Sequence, residues 1–572
     1  MRKKQMTFAA LGIILLAALF MRTYRLSERG MISTDEGAYY NVGGFSAAYL
    51  RSLASERHAA DSSTLRRQTL KDYFARERVR PAGPIGTKPV YTFLLTIFFL
   101  LTTPTPFHFL LVNAILGTLT VLLIYRLAYR MTKNSSYAVL AALSLALSGF
   151  HVIWSRSGFP HTSGTFFLTL GWLLYARGVW NDEKPRALRL FMSGLAQGAA
   201  FSTHPASGPY LGVCLVTEIY RMFRGQEMRR GICNLILIGV GMILIPLLVE
   251  GISWILERGL LPGGRWVFGS QQSHFYHFNL LRQGSGVLDY SSITSGWRLS
   301  GLVWMPFLYG EGAVYTGLAV VGWVFTWVFL FQEKREQDFF LLVAIMLPLA
   351  FYAISNTMPF ARNLAFLTPL SALLVARTLE RCWNRIRKQA RRFSVISLFV
   401  FLQIWHSAYL FEVQSGYARA VSWLAKHGDN RILLSNLHSL WYPHGVTIYE
   451  FKRIENDGRI AAVEWPLNRP VLISTDDRPL FAGFVKFRDG QLPKEFTTLL
   501  DTGTEVIRFP NGRAFTVKKT ELIGFARRVA QISPFNGVNR WLEAHLARER
   551  DVVDAGSVSL YQVKTSPPKP PG

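Results

Sequence analysis

Two adjacent carboxylates, those of Asp35 and Glu36, closely follow the first long apolar run of the chain. Acidic side chains near a membrane surface are costly unless they are paired or functional. The preceding Ser33 and Thr34 also give the pair the pattern of a helix start, in which a hydroxyl side chain caps the helix and acids occupy its first turn. The two carboxylates are therefore either a helix cap or part of a catalytic site.

A lone cation, Lys88, stands at the other end of the same polar segment, directly before the next apolar stretch. A carboxylate and a cation that bracket one segment suit a transfer reaction with a phosphate leaving group. The carboxylate can take a proton from an acceptor hydroxyl, and the cation can neutralise the charge that builds up on the phosphate. The spacing therefore favours a transferase site.

The composition is that of a membrane protein. Ordinary soluble domains carry about 25% charged residues, whereas this 572-residue chain carries 17%, with half of its residues hydrophobic and a mean hydropathy of +0.20. The formal net charge of +27 is spread between the apolar runs, which is typical of membrane-protein loops and not of a nucleic-acid-binding patch. Three cysteines are too few for a disulfide framework or a four-cysteine zinc site.

Apolar runs that approach the ~20 residues a helix needs to cross a bilayer recur as far as residue 411. The first, Met6 to Met21, follows a basic N-terminus and lacks a small-residue cleavage site, so we expect an uncleaved span with a cytoplasmic N-terminus. The further runs lie near residues 107–128, 134–153, 160–179, 190–204, 205–221, 232–256, 313–331, 339–355, 363–379 and 394–411.

Lys and Arg collect in alternate connections, which orients these spans. The basic connections, all cytoplasmic if the spans alternate from an inside N-terminus, are residues 126–133, 177–189, 221–230, 334–335 and 381–392. The run from Pro89 to Thr102 is short for a span, and counting it as a crossing would place Arg126 and Lys133 outside, so we interpret it as interfacial or re-entrant. The sequence thus predicts about eleven transmembrane helices plus interfacial helices, an odd number that leaves the C-terminal region outside.

The predicted organisation is a transmembrane catalytic domain over residues 1–411, a soluble α/β domain over 412–565 and a disordered Pro-rich tail over 566–572. The first external loop, 22–88, is rich in charges and is expected to form amphipathic helices on the outer surface. Beyond residue 411, helical spacing occurs over 417–424, and short apolar runs separated by turn signals predict strands near 432–434, 471–473 and 558–561.

In their order along the chain, these motifs resemble those of the GT-C membrane glycosyltransferases, in particular the protein O-mannosyltransferase and aminoarabinose-to-lipid-A transferase groups. The resemblance covers about residues 7–380. It rests on Asp35-Glu36, on Lys88-Pro89 and on the segment from Arg362 to Leu370, with weaker matches at Ser155–Gly158 and Ser202–Pro205.

The resemblance implies an inverting hexosyl or pentosyl transferase that moves a sugar from a polyprenyl-phosphate donor to a hydroxyl acceptor on the outer face of the membrane. It also implies Asp35 as the general base, Glu36 as a supporting acid, and Lys88 and Arg362 as contacts to the donor phosphate. His161 stands near a position where relatives often carry an Asp, which leaves the acceptor open between protein, lipid and polysaccharide.

Tyr39, Arg156, His161 and His204 are further candidates for contacts to the sugar or the acceptor, although Arg156 also fits as an ordinary interface anchor. No two histidines expected on the outer face have the i, i+4 spacing of a metal-binding helix, so no metal is predicted. The expected partners are the lipid-linked donor, the acceptor and membrane lipids, without nucleic acid. No cofactor is indicated, and assistance by a divalent metal stays open. We expect the protein in a bacterial inner membrane.

The alternative function is a membrane transporter or lipid flippase in which Asp35 and Glu36 act as gating or coupling residues. Transporters usually carry mid-membrane charges and interrupted helices repeated in two halves, and we find no such half-to-half symmetry in the sequence. A structural or scaffold protein is a third class, in which the two carboxylates are only a helix cap.

Overall fold

The computed structural model describes residues 2–31, 34–55, 88–180, 186–225, 227–257, 310–354, 361–386 and 388–411, and beyond them residue 426 and eight short strands. The helices before residue 160 are α1 Arg2–Thr23, α2 Leu26–Arg29, α3 Thr34–Ser55, α4 Pro89–Leu101, α5 Pro106–Thr132, α6 Ser135–Leu147 and α7 Gly149–Ser155. The later ones are α8 His161–Val179, α9 Arg186–Thr203, α10 Gly208–Phe223, α11 Met228–Glu257, α12 Ala313–Glu333, α13 Glu336–Ile354, α14 Thr368–Arg385 and α15 Gln389–Ser407. Short 3₁₀ turns cover Pro205–Ser207, Ala361–Leu367 and Ala408–Phe411.

Local sequence explains where many of these helices begin and end. Proline occupies the first turn of α4, α5, α10 and α14, where a missing N–H costs nothing. Asn134 caps α6, because its side chain accepts hydrogen bonds from the backbone N–H groups of Ser136 and Tyr137. Lys133 ends α5 and Lys334 ends α12, both in the left-handed conformation.

Each apolar run interpreted as a span coincides with helical structure in the described residues, and the run 134–153 coincides with two helices, α6 and α7. By length and apolar composition alone, four of the described helical stretches can cross a membrane, or five if the bent pair α6 and α7 is one span. These four are Gln5–Arg29, Pro106–Thr132, Met228–Ile252 and Val314–Glu333. The chain is therefore a multi-pass helical membrane protein, and the larger number of crossings stays a prediction.

The loop predicted to be external contains the helix whose start was predicted at its hydroxyl and acidic residues. That helix, α3, begins at Thr34 and packs on α4, where Gly43 lies against the side chains of Leu95 and Phe99. The short apolar run before residue 103 forms α4, which has 13 residues and is shorter than a membrane-crossing helix needs. Its interfacial or re-entrant placement remains a prediction.

Glycines allow α9 to pack closely against α11 in the membrane domain. A Cβ added at Gly194 would meet the carbonyl oxygen of Ile238, and one at Gly198 would meet that of Met242. Small residues at such spacing let helix backbones approach each other closely. The α9–α11 contact is accordingly among the most extensive helix contacts of the described structure.

A buried polar cluster joins helices near the basic connections predicted to be cytoplasmic. Glu218, which is fully buried, accepts hydrogen bonds from the Tyr175 hydroxyl at 2.6 Å, from Arg221 at 2.8 Å and from Asn234 at 2.7 Å. These bonds tie α8, α10 and α11 together. Glu218 therefore serves the fold, although an acid within an apolar run is a residue that a transporter could use.

Beyond residue 411 the structure describes strands β1 Leu433–Ser435, β2 Arg453–Asn456, β3 Arg459–Val463, β4 Leu472–Thr475, β5 Phe496–Asp501, β6 Thr504–Arg508, β7 Ala514–Lys518 and β8 Ser559–Val563. Four of them form a sheet in the order β1-β4-β8-β5, in which only the β1–β4 pairing is parallel. The strand pairs β2–β3 and β6–β7 are antiparallel. Strands β1, β4 and β8 lie at the three apolar runs, and the soluble α/β domain stays a prediction. The helix expected over 417–424 and the tail lie outside the described residues.

Candidate active site

The carboxylate of Glu36 lies in the first turn of α3 and has no exposed surface. Its Oε1 atom is 3.0 Å from Nη1 of Arg29, at the end of α2, and accepts a 2.7 Å hydrogen bond from the backbone N–H of Gly158. A buried carboxylate needs such partners because burial penalises its charge. Glu36 thus joins the start of α3 to the segment that connects α7 and α8.

Two buried side chains hold that connecting segment in place. The hydroxyl of Tyr91, in the first turn of α4, donates to the carbonyl oxygen of Gly158 at 2.8 Å. The Asn113 amide of α5 donates to the carbonyl oxygens of Ser157 and Phe159, both at 2.7 Å. Every carbonyl from 157 to 159 therefore has a side-chain donor, which fixes the direction in which the Gly158 N–H points.

Steric packing explains why this position is a glycine. A Cβ at residue 158 would overlap the ring of Phe109, on α5. Ser163 completes the support by donating from its hydroxyl to the Asn113 side-chain oxygen at 2.7 Å. The segment is consequently held by packing as well as by hydrogen bonds.

Asp35 and Lys88, the predicted base and phosphate contact, sit at the starts of neighbouring helices. Asp35 belongs to the first turn of α3, and its side chain lies outside the described residues. Lys88 directly precedes α4, is half-buried, and its carbonyl oxygen accepts from the N–H of Thr92 at 2.9 Å. Tyr39 and Tyr91 pack edge to face at 5.8 Å and join the two helices one turn beyond these positions.

His161 and His204 form a pair at the starts of α8 and the 3₁₀ turn after α9. Their ring centroids are 4.1 Å apart, and Nε2 of His161 is 3.1 Å from Oδ1 of Asn363. Nδ1 of His204 accepts a 3.1 Å hydrogen bond from the N–H of Ala206, so the proton of a neutral His204 ring is on Nε2. The Nδ1 atom of His204 is therefore engaged within its own 3₁₀ turn.

Arg362, the other predicted phosphate contact, precedes Asn363 in the 3₁₀ turn Ala361–Leu367. Its side chain lies outside the described residues. The position of its neighbour against His161 nevertheless places this turn beside the histidine pair.

Aromatic side chains connect the Glu36 network with the histidine pair. Phe159 lies 6.4 Å from the ring of Tyr39 and 6.0 Å from that of His161, and Trp154 packs edge to face on Phe159 at 5.6 Å. The structure therefore gathers Tyr39, His161 and His204 around one short segment of chain.

Arg156, the remaining candidate for a sugar contact, is almost fully buried. Its guanidinium donates to the carbonyl oxygens of Met21 at 3.2 Å and Tyr24 at 2.7 Å. Burial, together with the smaller effects of the neighbouring charges of Arg29 and Arg25, lowers the pKa of Arg156 to about 9. These contacts hold the end of α1, so the sugar contact predicted for Arg156 has no support from its surroundings.

Sequence reasoning assigned no role to Arg29, Tyr91, Asn113 or Asn363, although Asn363 lies in the segment from Arg362 to Leu370 on which the resemblance rests. Arg29 is one of many arginines in the first loop, and only the fold singles it out as the partner of Glu36. Tyr91 stands three residues after Lys88, and that proximity is the one sequence signal that could have found it. Among the described residues, no group of three or more His, Cys, Asp or Glu side chains is arranged to hold a metal ion.

Residues 82–254 match the model of the dolichyl-phosphate-mannose-protein mannosyltransferase family. The matched segment begins just before Lys88 and contains Gly158, His161 and His204. The match confirms the predicted resemblance to GT-C membrane glycosyltransferases, and the predicted class, a membrane glycosyltransferase, agrees with it. No curated protein sequence matches the chain.

Similar solved structures come from archaea, bacteria and yeast. The apo oligosaccharyltransferase of Archaeoglobus fulgidus has a TM-score of 0.48 and 11% identity, over 77% of this chain and 64% of that one. ArnT from Cupriavidus metallidurans bound to undecaprenyl phosphate has a TM-score of 0.42 and 13% identity, over 77% and 74% of the two chains. The protein O-mannosyltransferase complex of S. cerevisiae bound to the sugar donor has a TM-score of 0.33 and 15% identity, over 47% and 37%. In its complex with zinc and sulfate, the archaeal protein is matched over 55% of its own length.

Proposed function

We propose that this protein is an inverting membrane glycosyltransferase that uses a polyprenyl-phosphate sugar and a hydroxyl acceptor. The observation that supports it best is the network of Arg29, Glu36 and Gly158, which fixes the start of α3 and with it the backbone position of Asp35. If the two carboxylates served only as a helix cap, Glu36 would need neither its buried partner Arg29 nor its hydrogen bond from the segment between α7 and α8.

In the proposed reaction, the Asp35 carboxylate takes the proton of the acceptor hydroxyl as its oxygen attacks the anomeric carbon. The bond between that carbon and the phosphate oxygen breaks, and the polyprenyl phosphate leaves with the bonding electrons. A single displacement of this kind inverts the anomeric centre.

Glu36 acts in this scheme as a positioning group. Its buried carboxylate is occupied by Arg29 and by the Gly158 N–H. It supports the reaction by holding the first turn of α3, in which Asp35 precedes it, against the segment between α7 and α8.

Lys88 and Arg362 are the proposed contacts to the donor phosphate. Cations placed where negative charge develops stabilise the transition state most strongly when water is excluded. Lys88 lies at the start of α4, beside the Glu36 network, and Arg362 lies in the turn beside His161. The two cations would thus approach the phosphate from different elements.

The sugar and the acceptor would be bound by Tyr39, His161 and His204, which the contacts of Phe159 and of the histidine pair bring together. The matched family is described by a dolichyl-phosphate mannose donor and a protein acceptor. A polyprenyl-phosphate mannose is therefore the first donor to test, followed by other hexoses and pentoses. The proposed location is a bacterial inner membrane, with this site on its outer face.

The test is a transfer assay in nanodiscs with radiolabelled polyprenyl-phosphate sugars and a membrane extract as acceptor. Wild type should transfer label, Asp35→Asn should transfer none while remaining folded, and Glu28→Gln should retain activity. Glu28 is a matched control because it is an exposed acid of the same loop that pairs with Arg25.

Lys88→Ala and Arg362→Ala should weaken donor use, seen as a higher KM for the donor. An unchanged donor KM in both would refute the phosphate assignment. Folded wild type that transfers no sugar from any donor would overturn the proposed function in favour of transport, and full activity of Asp35→Asn would remove Asp35 from the mechanism.

A further inference from the structure

The third predicted span is broken at Ser148, one short helix before the segment that contacts Glu36. Helix α6 ends at Leu147, α7 begins at Gly149, and the two are bent by 59°. A break of this kind leaves carbonyl groups at the end of one helix and N–H groups at the start of the next without helical partners. In a membrane these groups must be satisfied by other parts of the protein.

Arg22 satisfies the carbonyl side of the break. This side chain is fully buried at the end of α1 and donates to the carbonyl oxygens of Leu145 at 3.3 Å and Ala146 at 3.4 Å. It also contacts Nδ1 of His151, in α7, at 2.7 Å. One guanidinium therefore holds both arms of the bend.

Glu311 lies on the N–H side of the break. Its carboxyl group is fully buried and accepts a 2.5 Å hydrogen bond from the hydroxyl of Ser148, whose Oγ in turn accepts from the N–H of His151 at 3.1 Å. The approach is close, because a Cβ at Gly149 would meet the carbonyl oxygen of Gly310. The residues just before α12 are thereby attached to the start of α7.

Helix α7 carries this arrangement to the Glu36 network. It ends at Ser155, and Gly158 donates its N–H to Glu36 three residues later. The bend therefore sets the direction of α7, and the direction of α7 determines where the N–H of Gly158 lies.

We infer that Arg22 and Glu311 are positioning residues for the transfer reaction, which act by fixing the direction of α7 and so the place of the Gly158 N–H against Glu36. This inference rests on the proposed function. Small displacements of a supporting element reduce turnover strongly, because catalytic groups must be held within fractions of an ångström.

The experiment measures kcat and donor KM for purified full-length variants in nanodiscs, with the amount of folded protein determined by gel filtration. Glu311→Leu should lower kcat about tenfold or more with a donor KM within about twofold of wild type. Glu311→Gln keeps an oxygen that can accept from Ser148 and should recover kcat to within about threefold of wild type. Arg22→Met provides a second variant for the other side of the bend and should behave as Glu311→Leu does.

A double-mutant cycle separates positioning from general stabilisation. Arg29→Lys alters the other partner of Glu36, so its effect on kcat should not multiply with that of Glu311→Leu if both act through the same contact. Losses that multiply, or Glu311→Gln as impaired as Glu311→Leu, would overturn the inference. If Glu311→Leu does not fold, the same cycle with Arg22→Met decides. Failure of the inference leaves wild-type transfer intact, whereas failure of the proposed function abolishes transfer in every variant, wild type included.

Discussion

Because Arg29 pairs with the buried carboxylate of Glu36, we expect Arg29 to contribute to both the stability and the activity of the protein. Removing one partner of a buried ion pair typically costs about 3–5 kcal/mol, because a buried charge loses its compensation. We therefore expect Arg29→Met to lower both the apparent Tm and the rate of transfer. Thermal unfolding in detergent and the transfer assay measure the two effects.

A double variant separates these two roles. In Arg29→Met/Glu36→Met the buried charge is gone, so part of the lost Tm should return while transfer stays low. Transfer that returns together with the Tm would show that the pair only stabilises the fold.

The carboxyl group of Glu311 predicts a pH-dependent stability. Burial raises the pKa of this carboxyl group, and hydrogen bonds from Ser148 and from the N–H groups of Phe150 and Gly149 lower it. Burial is the larger effect, and the resulting pKa is about 8. Because the folded pKa lies above the ordinary value of 4.5, the folded state favours the protonated form. Its contribution to stability is present in full below about pH 4.5 and is lost as the pH rises through about 8. Other titratable or charged side chains near this region are Arg22, His151, Tyr315 and His406.

We expect the apparent Tm of wild type to fall from pH 5 to pH 9 relative to that of Glu311→Gln, which cannot titrate at this position. Unfolding curves of both proteins across that range provide the measurement. Parallel curves for the two proteins would contradict the assignment of the raised pKa to Glu311.

At the scale of elements, the glycine contact between α9 and α11 gives a clean comparison. A Cβ at Gly241 would meet the carbonyl oxygen of Phe191, whereas a Cβ at Gly239, on the same helix, has nothing within 4 Å. Gly241→Ala should destabilise the protein by about 1–3 kcal/mol, because the helices must move apart, and Gly239→Ala should leave the Tm unchanged or slightly raised. Equal Tm values for the two variants would mean that α9 and α11 do not pack as described.

The elements were largely predictable and their contacts were not. Apolar length located the helices, and the hydroxyl and acidic residues located the start of α3, because both signals are local. The break at Ser148 was missed because no proline marks it and the run 134–153 has the length of a single span, although Ser148-Gly149 is a pair of the kind found at helix kinks. Its causes, Arg22 and Glu311, are more than 100 residues from it in the chain.

The same limit applies to the candidate site. Asp35, Glu36 and Lys88 were selected by residue type and by their place near apolar runs, which the sequence displays directly. Arg29 and Asn113 could not be selected, because their roles depend on partners that only the fold brings close. Arg29 pairs with the carboxylate of Glu36, and Asn113 donates to the carbonyl oxygen of Ser157.

At the scale of the whole molecule, the predicted orientation can be tested with native thiols. Cys382 is exposed and lies in the basic stretch 381–392 that is predicted to be cytoplasmic. In a Cys233→Ala background, a membrane-impermeant maleimide should leave intact spheroplasts unlabelled and should label Cys382 after lysis. Labelling of intact spheroplasts would reverse the proposed topology.

A cysteine introduced in the tail provides the matching control. Ser566→Cys, in a background that lacks both Cys233 and Cys382, should react from outside without lysis, because the predicted odd number of spans would leave the C-terminal region there. Protection of this residue in intact spheroplasts would contradict the predicted count of crossings.

The burial of Arg22 has a consequence for biosynthesis. Its guanidinium donates hydrogen bonds to carbonyl groups that lie 123 and 124 residues further along the chain. At ribosomal rates of about 5–20 residues per second, these carbonyl groups are synthesised roughly 6 to 25 s after Arg22. During that interval an arginine at the end of the first span has to remain near the aqueous interface, since its cost in the bilayer is about 2.5–3.5 kcal/mol. Nascent chains released before residue 145 should therefore hold their first span less deeply than the finished protein, and the translocon has to retain that span until α6 arrives.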